Sequence, residues 1–157
     1  MKIQLLSVGK EDGQNFRQGI EDFTNRIRHY YPVEWKIIPA PKSRAMLTEK
    51  ELRSKEAALI LNIVKKDDYL VALDERGKMF RSEALATLIQ TGANDSVKQL
   101  LFLIGGAYGL DDLVLKRANF VWSLSQLTFP HQLVRLILAE QIYRACTILK
   151  NEKYHHA

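Results

Sequence analysis

The histidines and the tyrosine best placed for acid–base chemistry lie in the last third of this 157-residue sequence. His131 follows a polar loop and a proline, and Tyr154 and His155 stand together near the C-terminus. An imidazole can move a proton near neutral pH, and a tyrosine ring can stack on a flat ligand. No spacing of histidine, aspartate and glutamate resembles a metal site, and no G-x-S-x-G element is present. We therefore predict neither a metal nor a hydrolase-type serine.

A glycine-rich segment, Gly105–Gly109, follows an apolar run that ends at Ile104. Paired glycines let a ligand approach the backbone and its N–H groups. The spacing is G-G-x-x-G rather than G-x-G-x-x-G, and no Lys-Ser/Thr pair follows it, which excludes a P-loop and leaves a dinucleotide site unsupported. By itself the segment is equally typical of a tight turn.

A second apolar run ends in a loop of mixed polarity, Leu124–Phe129. Leu127 and Phe129 could enclose a flat ring while Ser125 or Thr128 satisfies its edge nitrogens, a mixture that suits adenine. The alternative is a structural connection with both large side chains in the core. Ligands of open α/β sheets bind outside the carboxyl ends of the strands. Two such ends late in the chain therefore predict a cofactor pocket built by the C-terminal half.

Asp74 leaves a third apolar run within the segment Leu73–Lys78. A carboxylate at a strand end could bind a ribose or a substrate amide. As an isolated signal it favours a solvated turn residue instead.

Strand and helix patterns alternate along the whole chain, and continuous apolar strands separated by helices indicate a parallel sheet covered on both faces. We predict one α/β domain over residues 1–157. The predicted strands are Ile3–Val8, Val33–Ile38 at a sheet edge, Tyr69–Leu73, Leu100–Ile104 and Phe120–Leu124. The predicted helices are Gln14–Tyr30, a helix capped by Thr48 that ends near Val64, Ser82–Gln90 capped by Gly92, Asp111–Arg117 and His131–Lys150.

The last predicted helix is apolar on nearly all sides, since only Arg135 is polar between Leu133 and Ala139. Such a helix must bury more than one face. One face can cover the sheet, and the other predicts a homodimer; burial within the same chain is the alternative. The single cysteine, Cys146, falls in the apolar pattern of this helix and is predicted to be a small buried hydrophobe.

Net charge and hydropathy exclude few classes of function. Lysine and arginine number 23 against 18 aspartates and glutamates, a net charge of +5. This excess is compatible with a polyanion such as RNA, and equally with an ordinary basic enzyme. No apolar stretch is long enough to cross a bilayer and no secretory signal is present, so we expect a cytoplasmic protein.

The sequence resembles the small SPOUT-class methyltransferases that modify N3 of a pseudouridine in bacterial large-subunit ribosomal RNA, the RlmH (YbeA-like) family. The resemblance covers the whole length without a large insertion. Its most specific part is the segment Thr128–His131 together with the terminal Tyr154-His155 pair. Further matching segments are Met1–Ile3, Val8–Lys10, Leu73-Asp74, Gly77-Lys78, Ser82-Glu83, Ile104–Gly106, Gly109-Leu110, Ser123–Ser125, Arg135 and Tyr143–Ala145.

The resemblance implies a parallel-sheet SPOUT fold with a C-terminal trefoil knot, a homodimer, and S-adenosyl-L-methionine as the methyl donor. It implies a 23S ribosomal RNA substrate, methylated on the assembled ribosome. The cofactor-binding residues that it implies are Leu73, Gly105, Leu124, Ser125, Gln126, Leu127, Thr128 and Phe129. The catalytic candidates are Tyr154 and His155, entering from the partner subunit, with Arg135 and His131 stabilising charge or phosphate.

Methyl transfer to N3 of a uracil ring also requires loss of the N3 proton, because the neutral imide is a poor nucleophile. His155 or Tyr154 could act as the base. Two alternatives stay open: a non-catalytic ribosome- or RNA-binding protein on the same fold, and a flavin or nucleotide module with its site near Gly9–Gly13. Candidate phosphate contacts are Arg26, Arg28, Lys42, Arg44, Lys65, Lys66 and Arg81.

Overall fold

A computed structural model describes residues 1–156 and contains five strands and five α-helices in an alternating order. They are β1 (Lys2–Val8), α1 (Gln14–Ile27), β2 (Val33–Ile38), α2 (Glu49–Ile63), β3 (Tyr69–Lys78), α3 (Ser82–Asn94), β4 (Gln99–Ile104), α4 (Asp112–Arg117), β5 (Phe120–Trp122) and α5 (His131–Leu149). A short 3₁₀ turn, Arg44–Met46, precedes α2.

The five strands form one parallel sheet in the order β2-β1-β4-β3-β5. The predicted parallel α/β architecture and the edge position of β2 are therefore confirmed. In β2 the buried Val33 and Ile38 stand at the two ends, while Glu34 and Lys36 are exposed. Strand β2 pairs with a neighbour along one edge only and is partly exposed, so it can contain polar residues. This explains its mixed pattern.

Helices cover both faces of the sheet, and successive residues of each central strand face opposite layers. In β4, Phe102 packs with α1, α3 and α5, whereas Leu101 and Leu103 pack with α2 and α4. Because both faces are buried, the covered parts of these strands are almost entirely apolar, with the buried Ser7 of β1 as a polar residue that is hydrogen-bonded by Arg135. This is the physical reason why their sequences are continuous apolar runs.

Several element boundaries differ from the predicted ones. Helix α1 ends at Ile27, β5 ends at Trp122, and β3 continues through a bulge to Lys78. Helix α3 continues to Asn94, so the prediction that Gly92 caps it is wrong. Gly92 is buried within the helix, where an added Cβ would lie 3.2 Å from the Met1 sulfur. Close packing rather than helix termination therefore accounts for this glycine.

Other local predictions are confirmed by the structure. The Thr48 hydroxyl accepts a hydrogen bond from the Glu51 backbone N–H at 3.2 Å and caps α2. Cys146 is buried in α5, and burial raises the pKa of its thiol. Among residues 1–156, no helix is both long and apolar enough to span a membrane.

Helix α5 returns from the end of β5 and packs between α1 and α3, against the face of the sheet that contains Phe102. This path positions His131, at its first turn, beside the carboxyl ends of the central strands. The trefoil knot implied by the resemblance stays a prediction.

Candidate functional site

An open cleft of about 760 Å³ lies at the carboxyl ends of β3, β4 and β5. Three loops line it: the end of β3 at Leu73, the segment Gly105–Leu110 after β4, and the loop after β5. Parallel strands place their carboxyl ends at one edge of the sheet, which is why segments as distant in sequence as Leu73 and Phe129 meet here. The cleft brings together all the residues named as cofactor candidates except Gln126, which is exposed and outside the lining.

In the loop after β4, Gly109 and Gly105 are each required for a different structural reason. Gly109 adopts φ +81° and donates its N–H to the Gly106 carbonyl at 3.1 Å, which closes a tight turn. At Gly105 an added Cβ would lie 2.8 Å from the Leu110 side chain. Gly105 therefore borders the cleft with its backbone, while the space where its side chain would stand is filled by Leu110.

Asp74 is fixed in the wall of the cleft, so the expectation of a solvated turn residue is wrong. Its side chain is 6% exposed, and Arg76 donates to Oδ1 from the backbone N–H at 2.9 Å and from Nε at 2.8 Å. Burial would raise the pKa of Asp74, but the hydrogen bonds from Arg76 outweigh it and lower that pKa. Arg76 also donates to the Leu110 carbonyl at 3.1 Å, which ties the bulge of β3 to the glycine loop.

The loop after β5 is shaped by two serines. The Ser123 hydroxyl donates to the Ser125 carbonyl at 3.0 Å, and the Ser125 hydroxyl accepts from the Leu127 N–H at 3.0 Å. This turn leaves the Leu127 side chain 70% exposed, while Phe129 is half-buried. A large apolar side chain held in water at the mouth of a cleft is available to cover an apolar ligand.

A second cavity of about 500 Å³ adjoins the first. It lies between the end of β1, the turn before α2, helix α2 itself and the start of α5. The two cavities share the segment Gly106–Tyr108 and His131 in their linings. His131 is half-buried, and burial together with the charge of Arg135 lowers its pKa. Both effects favour the neutral form of the imidazole over the charged one.

Arg135 connects α5 to the end of β1. Its side chain is 1% exposed, Nε donates to the Ser7 hydroxyl at 2.8 Å, and Nη1 donates to the Lys10 carbonyl and to Asp12 Oδ1, each at 2.8 Å. These contacts hold together residues more than 120 positions apart. Arg135 lines the second cavity, but most of its donors are used inside the protein.

Tyr154 and His155 fold back against the middle of α5. The Tyr154 hydroxyl donates to Glu140 at 3.1 Å, and its ring meets the Tyr143 ring edge-on at 4.7 Å between centroids. Burial raises the pKa of Tyr154, as does the Glu140 carboxylate. The His155 ring nitrogens lie 3.3 Å from Arg144 Nη1 and 3.2 Å from Glu83 Oε1.

The tail of one chain does not reach the cleft of the same chain. Tyr154 and His155 line neither cavity, whereas His131 lines both. Tyr154 folds back only as far as Glu140, which lies about 14 Å along α5 from His131 at 1.5 Å per residue. The structure thus brings His131 and Arg135 to the cavities but does not bring the tail to those of its own chain.

Helix α2 supplies site residues that sequence reasoning missed. Lys50 and Arg53 line the first cleft, and Glu56 lines the second. A signal was present in the sequence, because Glu56 interrupts the buried face Leu52–Ile60 of an amphipathic helix. Within residues 1–156, no three His, Cys, Asp or Glu side chains form a group that could hold a metal ion.

The sequence matches, over residues 1–155, the family model described as predicted SPOUT methyltransferase. It is 47% identical over 156 residues to ribosomal RNA large subunit methyltransferase H of Christiangramia forsetii, covering 99% of each chain. The protein of the same name from Parabacteroides distasonis is 46% identical over 156 residues, again covering 99% of each chain.

A solved structure, that of a probable methylase family protein from Haemophilus influenzae, has a similar fold. It superposes with a TM-score of 0.54 at 9% identity, covering 99% of this chain and 70% of that one. This likeness bears on the fold alone.

Proposed function

Because this chain belongs to the SPOUT methyltransferase family, we propose that it transfers a methyl group from S-adenosyl-L-methionine to N3 of a pseudouridine in 23S ribosomal RNA. The observation that carries the proposal is the cleft at the carboxyl ends of β3, β4 and β5, where the loops expected to bind the cofactor meet. Relatives that share 46–47% of the sequence over nearly its whole length are named as ribosomal RNA methyltransferases. The family membership favours this enzyme over a non-catalytic RNA-binding protein.

The cleft fits S-adenosyl-L-methionine in size and in lining. Its volume of about 760 Å³ lies in the range of small-molecule sites. Leu127 and Phe129 offer apolar surface to the adenine, and the glycine loop offers backbone N–H groups. When bound, the donor supplies a methyl carbon attached to a positively charged sulfur.

Homodimer formation explains how the tail takes part in the site. Since Tyr154 and His155 line neither cavity of their own chain, a catalytic tail has to complete the cleft of a neighbouring subunit. The half-buried residues Leu133, Ile137, Glu140 and Arg144 lie on the side of α5 opposite the buried Leu138. If two copies pack through this side with their α5 helices in opposite directions, a two-fold axis brings each tail to the partner's His131.

Exposed cations at the second cavity support an RNA substrate. Lys10 and Arg44 line this cavity, whereas the first cavity is lined by Lys50 and Arg53 but also by acidic residues. The cations can contact phosphates on either side of a nucleotide that enters the site. Of the candidate phosphate contacts named from the sequence, Arg44 alone lines either cavity in the part of the chain that the structure describes.

The proposed function is tested with purified protein, donor labelled in its methyl group, and ribosomes from bacterial cells that lack this protein. We expect label in 23S RNA, and mass mapping should assign it to one pseudouridine-containing fragment. Ribosome binding without transferred label would instead support the non-catalytic RNA-binding alternative and contradict the proposal.

Leu127→Ala should weaken binding of S-adenosyl-L-methionine roughly 10- to 100-fold, the effect of losing one leucine side chain buried on binding. Because Leu127 is 70% exposed in the free chain, the free energy of unfolding should change by less than about 0.5 kcal/mol. Calorimetric titration measures the affinity, with Leu59→Ala as the control, since Leu59 is 42% exposed and lines neither cavity. Equal affinities for both variants would contradict the placement of adenine.

A further inference from the structure

The second cavity contains a buried carboxylate, Glu56, that the described chain leaves without a partner. Glu56 is 4% exposed and lines the cavity. Among residues 1–156 it takes part in no side-chain hydrogen bond and no ion pair, and its buried neighbours on α2, Leu52, Ala57 and Ile60, are apolar. Arg53, one turn earlier on α2, lines the first cleft instead. Burial raises the pKa of Glu56, and no charged group among the described residues offsets that effect.

An ionised carboxylate without a partner at this position destabilises the fold. Removing a carboxylate from water without a hydrogen-bonding partner costs several kcal/mol, and an apolar side chain of similar size would avoid that cost. Buried polar groups in native proteins are nearly always satisfied by protein, water or ligand. Because Glu56 opens onto the second cavity, its hydrogen-bond partner has to come from what enters that cavity. A ligand that donates a hydrogen bond to Glu56 is such a partner.

The position of Glu56 links it to the methyl-transfer cleft. Its carboxylate lies against Gly106, where an added Cβ would stand 2.5 and 2.6 Å from the two oxygens. Gly106 lines both cavities, so at this point only backbone separates the carboxylate from the first cleft. The absence of a side chain at residue 106 is therefore a requirement of the Glu56 position.

The other charged and titratable groups of the second cavity leave Glu56 free for a ligand. Arg135, on α5, directs Nε and Nη1 to Ser7, Lys10 and Asp12, and among the described residues it forms no ion pair with Glu56. Burial and the charge of Arg135 lower the pKa of His131, which favours its neutral form. Lys10 and Arg44 are exposed, so they can contact a phosphate at the mouth. The cavity thus combines cations outside with a hydrogen-bond acceptor inside.

We infer that the second cavity receives the methyl-accepting base, a uracil-type ring, and that Glu56 accepts the hydrogen of its imide N3–H. This inference rests on the proposed function and names the acceptor side of the same site. The edge of a uracil-type ring presents an N–H donor between two carbonyls, and an ionised carboxylate offers only acceptors. A cavity of about 500 Å³ has room for one such base.

Glu56 then acts as the base that makes the ring nitrogen nucleophilic. The N3–H bond breaks, its electron pair stays on N3, and the proton joins the Glu56 carboxylate. That pair forms the bond to the methyl carbon as the carbon–sulfur bond of the donor breaks and its electrons leave with sulfur. A carboxylate whose pKa is raised by burial is a stronger base than an exposed one.

Glu56→Gln tests the inference, because the amide keeps the shape but cannot take the proton. We expect the rate constant for methyl transfer to ribosomes to fall on the order of 100-fold or more, as for loss of a general base. Affinity for S-adenosyl-L-methionine, measured by calorimetry, should stay within about twofold of wild type, because the first cleft is unchanged. Glu49→Gln is the matched control, since Glu49 is exposed on the same helix and lines neither cavity.

The pH dependence separates a base from a structural residue. The wild-type rate should fall as the pH is lowered through the raised pKa of Glu56, and Glu56→Gln should lack this decline. The buried charge also destabilises the fold once the carboxylate ionises. Glu56→Gln should therefore have a higher melting temperature than wild type at pH 7, and the difference should vanish below the ordinary pKa of glutamate.

The outcomes distinguish this inference from the proposed function. If wild type transfers no methyl group, the proposed function fails and the inference fails with it. If wild type is active and Glu56→Gln has the same rate and pH profile, the inference alone is overturned. A folded Glu56→Gln protein that binds the donor normally but transfers methyl groups slowly at every pH supports it.

Discussion

Removal of residues 154–157 is expected to lower methyl transfer by about 10²- to 10⁴-fold, the range that a lost acid–base group commonly produces. The deletion removes Tyr154 and His155 from the partner's site. Within its own chain it removes contacts of two partly exposed side chains, so unfolding and dimer formation should change little. Transfer of labelled methyl groups to ribosomes measures the effect, with sedimentation and donor affinity as controls. Full activity of the shortened protein would contradict a catalytic tail.

A mixing experiment tests whether the tail acts across the dimer. The second variant, Leu127→Asp, places a carboxylate in the apolar part of the cleft and leaves folding intact, because Leu127 is exposed. Leu127 serves better than Gly105, where a side chain would collide with Leu110 inside the protein. After co-expression, random pairing leaves roughly a quarter of all sites complete if the tail acts in trans. If the tail acts within its own chain, every site stays defective and no activity returns.

Arg135→Met is expected to lower the free energy of unfolding by about 3 kcal/mol, near the lower end for breaking a buried ion pair because Asp12 keeps some contact with water. The substitution leaves the buried Ser7 hydroxyl, the Lys10 carbonyl and Asp12 without their shared donor. Denaturant unfolding measures the change.

The matched control for this prediction is Arg81→Met. The Arg81 side chain is 81% exposed and forms one surface ion pair at 3.5 Å, so its loss should cost less than about 0.5 kcal/mol. A similarly small change for Arg135→Met would show that the guanidinium does not anchor β1 to α5. Its role would then lie in the chemistry of the second cavity alone.

The sequence alone determined the sheet and the order of its elements. The runs at Leu100–Ile104 and Tyr69–Leu73 are apolar at every position, and only a strand buried on both faces requires that. The mixed pattern of Val33–Ile38 predicted an edge strand, and the Thr48–Glu51 spacing predicted a helix cap. These signals are local, since each depends on residues within one element.

The sequence also predicted which strand ends face the cleft, because parallel strands must present their carboxyl ends at one edge. It could not predict the ends of elements set by distant packing. The sequence predicts Gly92 as a helix cap, whereas in the structure it lies against Met1, 91 residues earlier in the chain. The sequence favours a solvated turn residue at Asp74, whereas Arg76 and the glycine loop bury it.

Only the tertiary structure shows which residues meet in each of the two cavities. The contact between Glu56 and Gly106 joins α2 to the loop after β4, and Arg135 joins α5 to Ser7 across 128 positions. Tyr154 packs on Glu140 in the middle of α5 and lines neither cavity of its own chain. Propensity and hydrophobic period describe windows of one element, whereas cavities form where several elements pack together. Which residues line a cavity therefore depends on the three-dimensional arrangement and cannot be predicted from a local sequence pattern.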